Sequence, residues 1–412
     1  MKTVQIILIV LAGHLFATGN IARGQEILED YLIAAAENNP ALKAKFQDYL
    51  AALERVPQVG ALPDPQLSFG YFIRPVQTRE GPQEFRISAT QMFPWFGTLQ
   101  ARENVAVERA KAKYELFEEA RSKLFDEVRG TYYNLYFNGK ATDILMENIE
   151  ILGVFRKLAL TKLEAGKASS LDEYRIRMEI GDLENQLSLL KDHQQYLKVA
   201  FFNLLNVELG EVWLPDTLWN STPELTRQEM LDSLLVKNHQ LLGLEMQRVA
   251  YSYQQEVARK KGIPDLSIGL DYIVVSKGEN NLSGEDAFMF PRVGISIPLY
   301  RNKYRSMVKE AVYQESAKAN ELQDKKNTLK TLFEKTWNEL MDADRRLLLY
   351  EKQLELATRS MNLLEVEYST AGENFEEILR MERKRLRYAL ELEKARADKQ
   401  AAISFLDYLM GN

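Results

Sequence analysis

The chain has 412 residues, no cysteine, and 59 acidic against 53 basic residues, for a formal charge of -6. The lack of thiols excludes structural disulfides, thiolate metal centres and a lipid attached through an N-terminal cysteine. A mildly acidic balance gives no electrostatic footprint for a nucleic-acid partner.

Residues 1–24 read as a secretory signal: Lys2 at the start, an apolar run from Val4 to Ala12, and small Ala22 and Gly24 before a cut after Gly24. The run is short of the roughly 20 residues that carry a helix across a bilayer. The first repeat then covers 25–209. It opens with a helical segment at 26–58, continues with strands at 65–75 and 84–93 around a polar loop, and ends in long helices at 98–164 and 170–208. Residues 210–225, with Trp213, Pro215, Trp219 and Pro223, form an equatorial connector, and Thr226 with Glu229 three residues on makes a capping box for the next helical segment.

The second repeat, 226–412, has the same plan: a helical opening to about 261, strands at 264–275 and 287–298, and long helices at 302–368 and 374–409. PQLSFGY at 65–71 answers to PDLSIGL at 264–270, Phe93-Pro94 to Ile297-Pro298, and Ala165-Gly166 to Ala371-Gly372, in the same order in both halves. Residues 98–164 as one helix would extend about 100 Å at 1.5 Å per residue. Leu124, Val128, Tyr132 and Leu135, then Leu145, Ile149, Leu152 and Phe155, repeat at threes and fours, which makes a seam for neighbouring helices.

The strands alternate with period two. Leu67, Phe69, Tyr71 and Ile73 share one face, and Leu266, Ile268, Leu270 and Tyr272 repeat it, while Ser68, Ser88, Ser267 and Asp271 fall on polar faces suited to a wet lumen. In a membrane barrel the oily face meets lipid. Four strands leave two raw edges, and single-chain membrane barrels need at least eight strands, so three copies closing a twelve-stranded wall is the simplest solution. Pro94 and Pro298 mark abrupt strand-to-helix joints. The expected fold class is mostly α with a transmembrane β-barrel: a trimeric 12-stranded barrel continued below by a tube of helices, an α-helical barrel.

LPDPQLSFGY, the joint QMFPWFGTLQARE with its second copy SIPLYRNKY, the turns LEAGKASSLDEY and YSTAGENFEEIL, and the duplication together resemble the outer membrane efflux protein family, the TolC-like outer membrane factors. The resemblance covers essentially all of the mature chain. It implies a homotrimer in the outer membrane of a Gram-negative cell, extending into the periplasm. Such a trimer acts as the passive exit duct of a tripartite efflux or type I-like secretion system, docked to a periplasmic adaptor (membrane fusion) protein and through it to an inner-membrane pump. On that pattern Gly166, Lys167 and Gly372 sit at the adaptor-contacting tip, and the first turns of the last helix line the periplasmic aperture. Some members narrow that aperture with aspartate rings. The corresponding positions here are Ile378 and Met381, so such a ring is absent, and Glu373, Glu376 and Glu377 are the acids nearby. Three carboxylates repeated by threefold symmetry favour cations at a mouth; acids also suit the first turn of any helix. Lys167 reads equally as an adaptor contact and as a solubilising residue.

No nucleophile-base-acid set, phosphate loop or metalloprotease motif occurs. His193 and His239 lie apart without a ligand pattern. The expectation is therefore no enzyme activity, no metal and no cofactor. The competing reading is a periplasmic helical scaffold or adaptor without a channel.

Overall fold

The structure is a computed structural model that describes residues 21–166, 169–277, 284–371 and 375–412. Residues 1–20, most of the expected signal, lie outside the described residues. The elements in chain order are α1 (Ile21–Asn38), α2 (Pro40–Gly60), β1 (Gln66–Thr78), β2 (Gly81–Phe93), α3 (Thr98–Glu164), α4 (Ser170–Leu205), α5 (Arg227–Lys237), α6 (His239–Lys260), β3 (Asp265–Val275), β4 (Ala287–Ser296), α7 (Arg301–Ala371) and α8 (Phe375–Met410). Two compact units result. One comprises the chain up to Lys43 with Ala120–Leu234 and Leu329–Asn412; the other comprises Ala44–Glu119 and Leu235–Thr328. No helix among the described residues is long and apolar enough to cross a membrane.

The helical opening of each half is two helices rather than one. Asn39 breaks the first: its Oδ1 accepts from the backbone N–H groups of Ala41 and Leu42 at 3.0 and 3.1 Å, and Pro40 takes the first helical position. Asn238 does the same in the second half, accepting from Gln240 and Leu241 at 3.0 and 3.3 Å. The periodic pattern runs through both breaks, which hides them. The Thr226–Glu229 capping box forms, with the Thr226 N–H and hydroxyl each 2.8 Å from Glu229 Oε2. α4 stops at Leu205 because Asn206 adopts φ 51°, ψ 50° and turns its N–H back to the carbonyls of Phe202 and Asn203.

In the first unit, α3, α4, α7 and α8 share apolar faces. Leu124, Val128, Tyr132, Leu135, Leu145 and Leu152 of α3 are buried, as are Phe333 and Leu340 of α7 and Leu406 and Leu409 of α8. Truncating one such side chain to alanine costs about 2–5 kcal/mol. In the second unit, Ala101 and Val105 of α3 pack against Val257 of α6, with Tyr253 beside them.

The second unit also holds the only sheet among the described residues, antiparallel throughout, in the order β1-β2-β3-β4. β1 and β2 run further than the alternating pattern indicates. Val76 pairs with Gln83 and Gln77 with Pro82, past a register shift that begins at Tyr71. The segment read as a polar loop is thus mostly ladder, because backbone pairing continues after the bulge has broken side-chain alternation. Pro75 lies in that shifted stretch, and Pro291 in the shift of β4 between Met289 and Arg292, where a missing N–H removes no regular ladder bond.

Candidate channel lining and helical tip

The register sorts the sheet into two chemically distinct faces. Leu67, Phe69 and Tyr71 of β1 stand across from Ala89, Ile87 and Phe85 of β2, and β3 continues that face with Leu270, Tyr272 and Val274. Its outer members are strongly exposed, Tyr71 at 74% on β1, Val293 at 64% and Ile295 at 60% on β4. Exposed apolar side chains on a sheet with two unpaired edges are unusual for a surface in water.

The opposite face is polar. Ser68 pairs with Ser88, Ser88 with Asp271, and Ser267 with Gly294, so all four residues read as lumen-facing share one side. Asp271 is wholly buried there, held by Arg86 Nη2 at 2.6 Å and approached by Arg292 Nε at 3.5 Å. Sequence reading misses this arginine pair. Each sits at a polar position of its strand, but only the pairing of β2 and β4 on either side of β3 brings them to one carboxylate.

The strand-to-helix joints are fixed by short contacts. Pro94 follows β2 directly, and the next backbone N–H, that of Trp95, donates to Asp265 Oδ1 at 3.0 Å at the start of β3. Thr98 N–H then donates to the Trp95 carbonyl at 2.9 Å, opening α3. Past Pro298, Arg301 N–H donates to the Leu299 carbonyl at 3.0 Å as α7 begins.

At the other candidate site, four helices end around one apolar cluster: Leu152 and Phe155 of α3, Ile176 and Leu183 of α4, Tyr368 of α7, and Phe375, Ile378 and Leu379 of α8. Ile378 is thus a core residue, and Met381 packs against the same cluster. α3 closes with Gly166 at φ +68°, a left-handed conformation that costs a residue with a Cβ about 1–2 kcal/mol. α4 starts on Ser169, whose Oγ accepts from Leu171 N–H at 3.1 Å. Lys167, Gly372 and Glu373 lie outside the described residues.

The remaining tip acids are each met by arginine. Glu376 Oε2 stands 3.3 Å from Arg175 Nη2 of α4, and Glu377 pairs with Arg380, whose hydrogen bond holds its carboxyl below the usual range. Sequence inspection counts the acids and overlooks these partners. Three further contacts tie the helices together. Glu173 is buried, which pushes its carboxyl up, but hydrogen bonds from Arg156 at 3.0 Å and Arg177 at 2.9 Å outweigh that and hold it low. Arg383 Nε of α8 donates to Glu179 Oε2 of α4 at 2.8 Å. Lys162 Nζ donates to the Tyr368 carbonyl and lies 3.7 Å from the ring centroid.

Residues 32–207 match the model of the family described as outer membrane efflux protein. The fold is similar to that of the outer membrane protein VceC from Vibrio cholerae, at 14% identity and TM-score 0.80, covering 95% of this chain and 98% of that one. It is also similar to the CmeC outer membrane channel of Campylobacter jejuni, at 15% identity and TM-score 0.75 over 98% and 90% of the two chains. A membrane protein from Pseudomonas aeruginosa aligns at 14% identity and TM-score 0.78 over 93% of each chain. No curated protein matches the sequence. The family match thus covers part of the first half of the chain, and the likeness to the solved structures covers the fold of nearly all of it.

Proposed function

We propose that three copies of this chain close a twelve-stranded barrel in the outer membrane and form a passive exit duct of a tripartite efflux or secretion system. The observation that carries this reading is the sheet itself: β1 and β4 have free edges, and the face bearing Phe69, Tyr71, Val293 and Ile295 is apolar and exposed. Lipid covers such a face, and strands from neighbouring copies complete such edges. The names of the similar proteins, an outer membrane protein and an outer membrane channel, agree with it.

On this reading Ser68, Ser88, Ser267 and Asp271 line the lumen, and the strands cross the outer membrane while the helices extend into the periplasm. Gly166, Lys167 and Gly372 meet a periplasmic adaptor, which links the duct to an inner-membrane pump that supplies the energy. Glu373, Glu376 and Glu377 stand around the aperture, and the tip helices move to open it.

The cysteine-free chain gives a direct test. One cysteine at Leu67 on β1 is combined with a second scanned along 293–296 on β4, and membranes are oxidised. The duct reading expects covalent trimers from at least one pair; monomers across the whole scan exclude the β1–β4 closure.

A further inference from the structure

The polar face of the sheet carries a charge cluster whose composition exceeds what holding the sheet together requires. Asp271 is fully buried, while the side chains of Arg86 and Arg292, which flank its Oδ2, each keep 39% of their surface exposed. Arg86 also donates to Ser88 Oγ at 3.1 Å and Arg292 to Thr90 Oγ1 at 2.5 Å, so both guanidinium groups are held in fixed places. Arg292 lies across β3 at Gly269: a Cβ there would stand 3.1 Å from Arg292 Nη2 and 2.9 Å from the Ala89 carbonyl oxygen. One carboxylate needs one guanidinium. The second is surplus and leaves one net positive charge in this cluster. The other acids of the central strands lie away from the cluster: Asp265 is at the foot of β3 with Trp95, and Glu84 falls at the register shift toward the β1–β2 turn.

We infer that Arg86 and Arg292, positioned by Asp271, form an anion-favouring collar inside the barrel, selecting solutes that carry carboxylate, sulfonate or phosphate groups. The inference rests on the duct reading, because only a closed barrel makes this face a lumen. Three protomers then place three surplus guanidinium charges around one axis. Guanidinium groups recognise such oxyanions through paired N–H donors.

The lack of native cysteine allows the local potential to be measured. Ser68→Cys puts a single thiol beside Ser88, the residue that pairs with Asp271. The full-length protein is reconstituted in lipid. Its rates with an anionic sulfonatoethyl and a cationic trimethylammonioethyl methanethiosulfonate are compared, each divided by the rate with a small free thiol. The normalised ratio is expected to favour the anionic reagent. One unit charge about 7 Å away in water at 0.1 M salt changes such a ratio roughly threefold. Arg86→Gln therefore lowers it about threefold and Arg86→Lys preserves it, while Asp271→Asn raises it. Arg86→Gln leaves Arg292 beside the buried acid, so folding is retained. Leu67→Cys, on the opposite face, is the control and is expected to react with neither reagent. A ratio equal to that of the free thiol and unmoved by Arg86→Gln, with Leu67→Cys still shielded, overturns the collar and leaves the duct standing. Equal reactivity of Leu67→Cys and Ser68→Cys overturns the lumen assignment, and the collar with it.

Discussion

On the proposed duct reading the tip opens as α8 parts from α4, and the contact between Arg383 and Glu179 opposes that. Nε and Oε2 are 2.8 Å apart, Glu179 is only 17% exposed, and Arg383 is 58% exposed. A pair of this exposure contributes about 0.5 kcal/mol, and three copies acting together about 1.5 kcal/mol, roughly a tenfold bias toward closure. Glu179→Gln and Arg383→Gln are each expected to raise open-state occupancy about tenfold in planar-bilayer recordings. The double variant should exceed neither single, and the swap Glu179→Arg with Arg383→Glu should restore closure. Additive effects approaching a hundredfold, or no effect from either single, would refute the assignment of this pair as a latch.

Other consequences stem from the helix ends and the buried acids. Gly166→Val loses about 1–2 kcal/mol locally at φ +68° and, with the trimer intact, should abolish cross-linking to a periplasmic adaptor. Asn39→Ala removes the cap of α2 and should lower thermal stability by about 1 kcal/mol, as should Asn238→Ala for α6, whereas Asn→Asp at either place should retain most of it. Burial raises the carboxyls of Asp126 and Asp407, the first partly offset by the hydrogen bond from Ser404. The folded chain therefore holds protons there that the unfolded chain has lost. Between the ordinary aspartate value of 3.8 and the raised ones, these groups make stability fall as pH rises. Denaturation profiles of Asp126→Asn should be flatter across that window.

The long helices and the duplication are legible in the sequence because each obeys a local rule. A three-four apolar stripe needs only its own segment, as Leu124, Val128 and Tyr132 show, and all three are buried in α3. The alternating faces of β1 and β3 are legible for the same reason. The breaks at Asn39 and Asn238 are carried by one side chain each, inside a periodicity that does not change, and only the Asn-Pro step at 39–40 signals one of them. The Arg86–Asp271 contact joins residues 185 positions apart, and the Arg383–Glu179 contact residues 204 apart. No spacing rule reaches that far. For the proposed aperture, the glutamates at 376 and 377 are visible in the chain, but Arg175, which faces the first of them, comes from another helix.

The central claim is that one chain supplies a third of a closed barrel, and the most direct measurement is electron microscopy of the full-length protein extracted in detergent. The account predicts threefold particles with a central channel and a detergent belt around the strands. Monomers, or particles with neither channel nor belt, would contradict it.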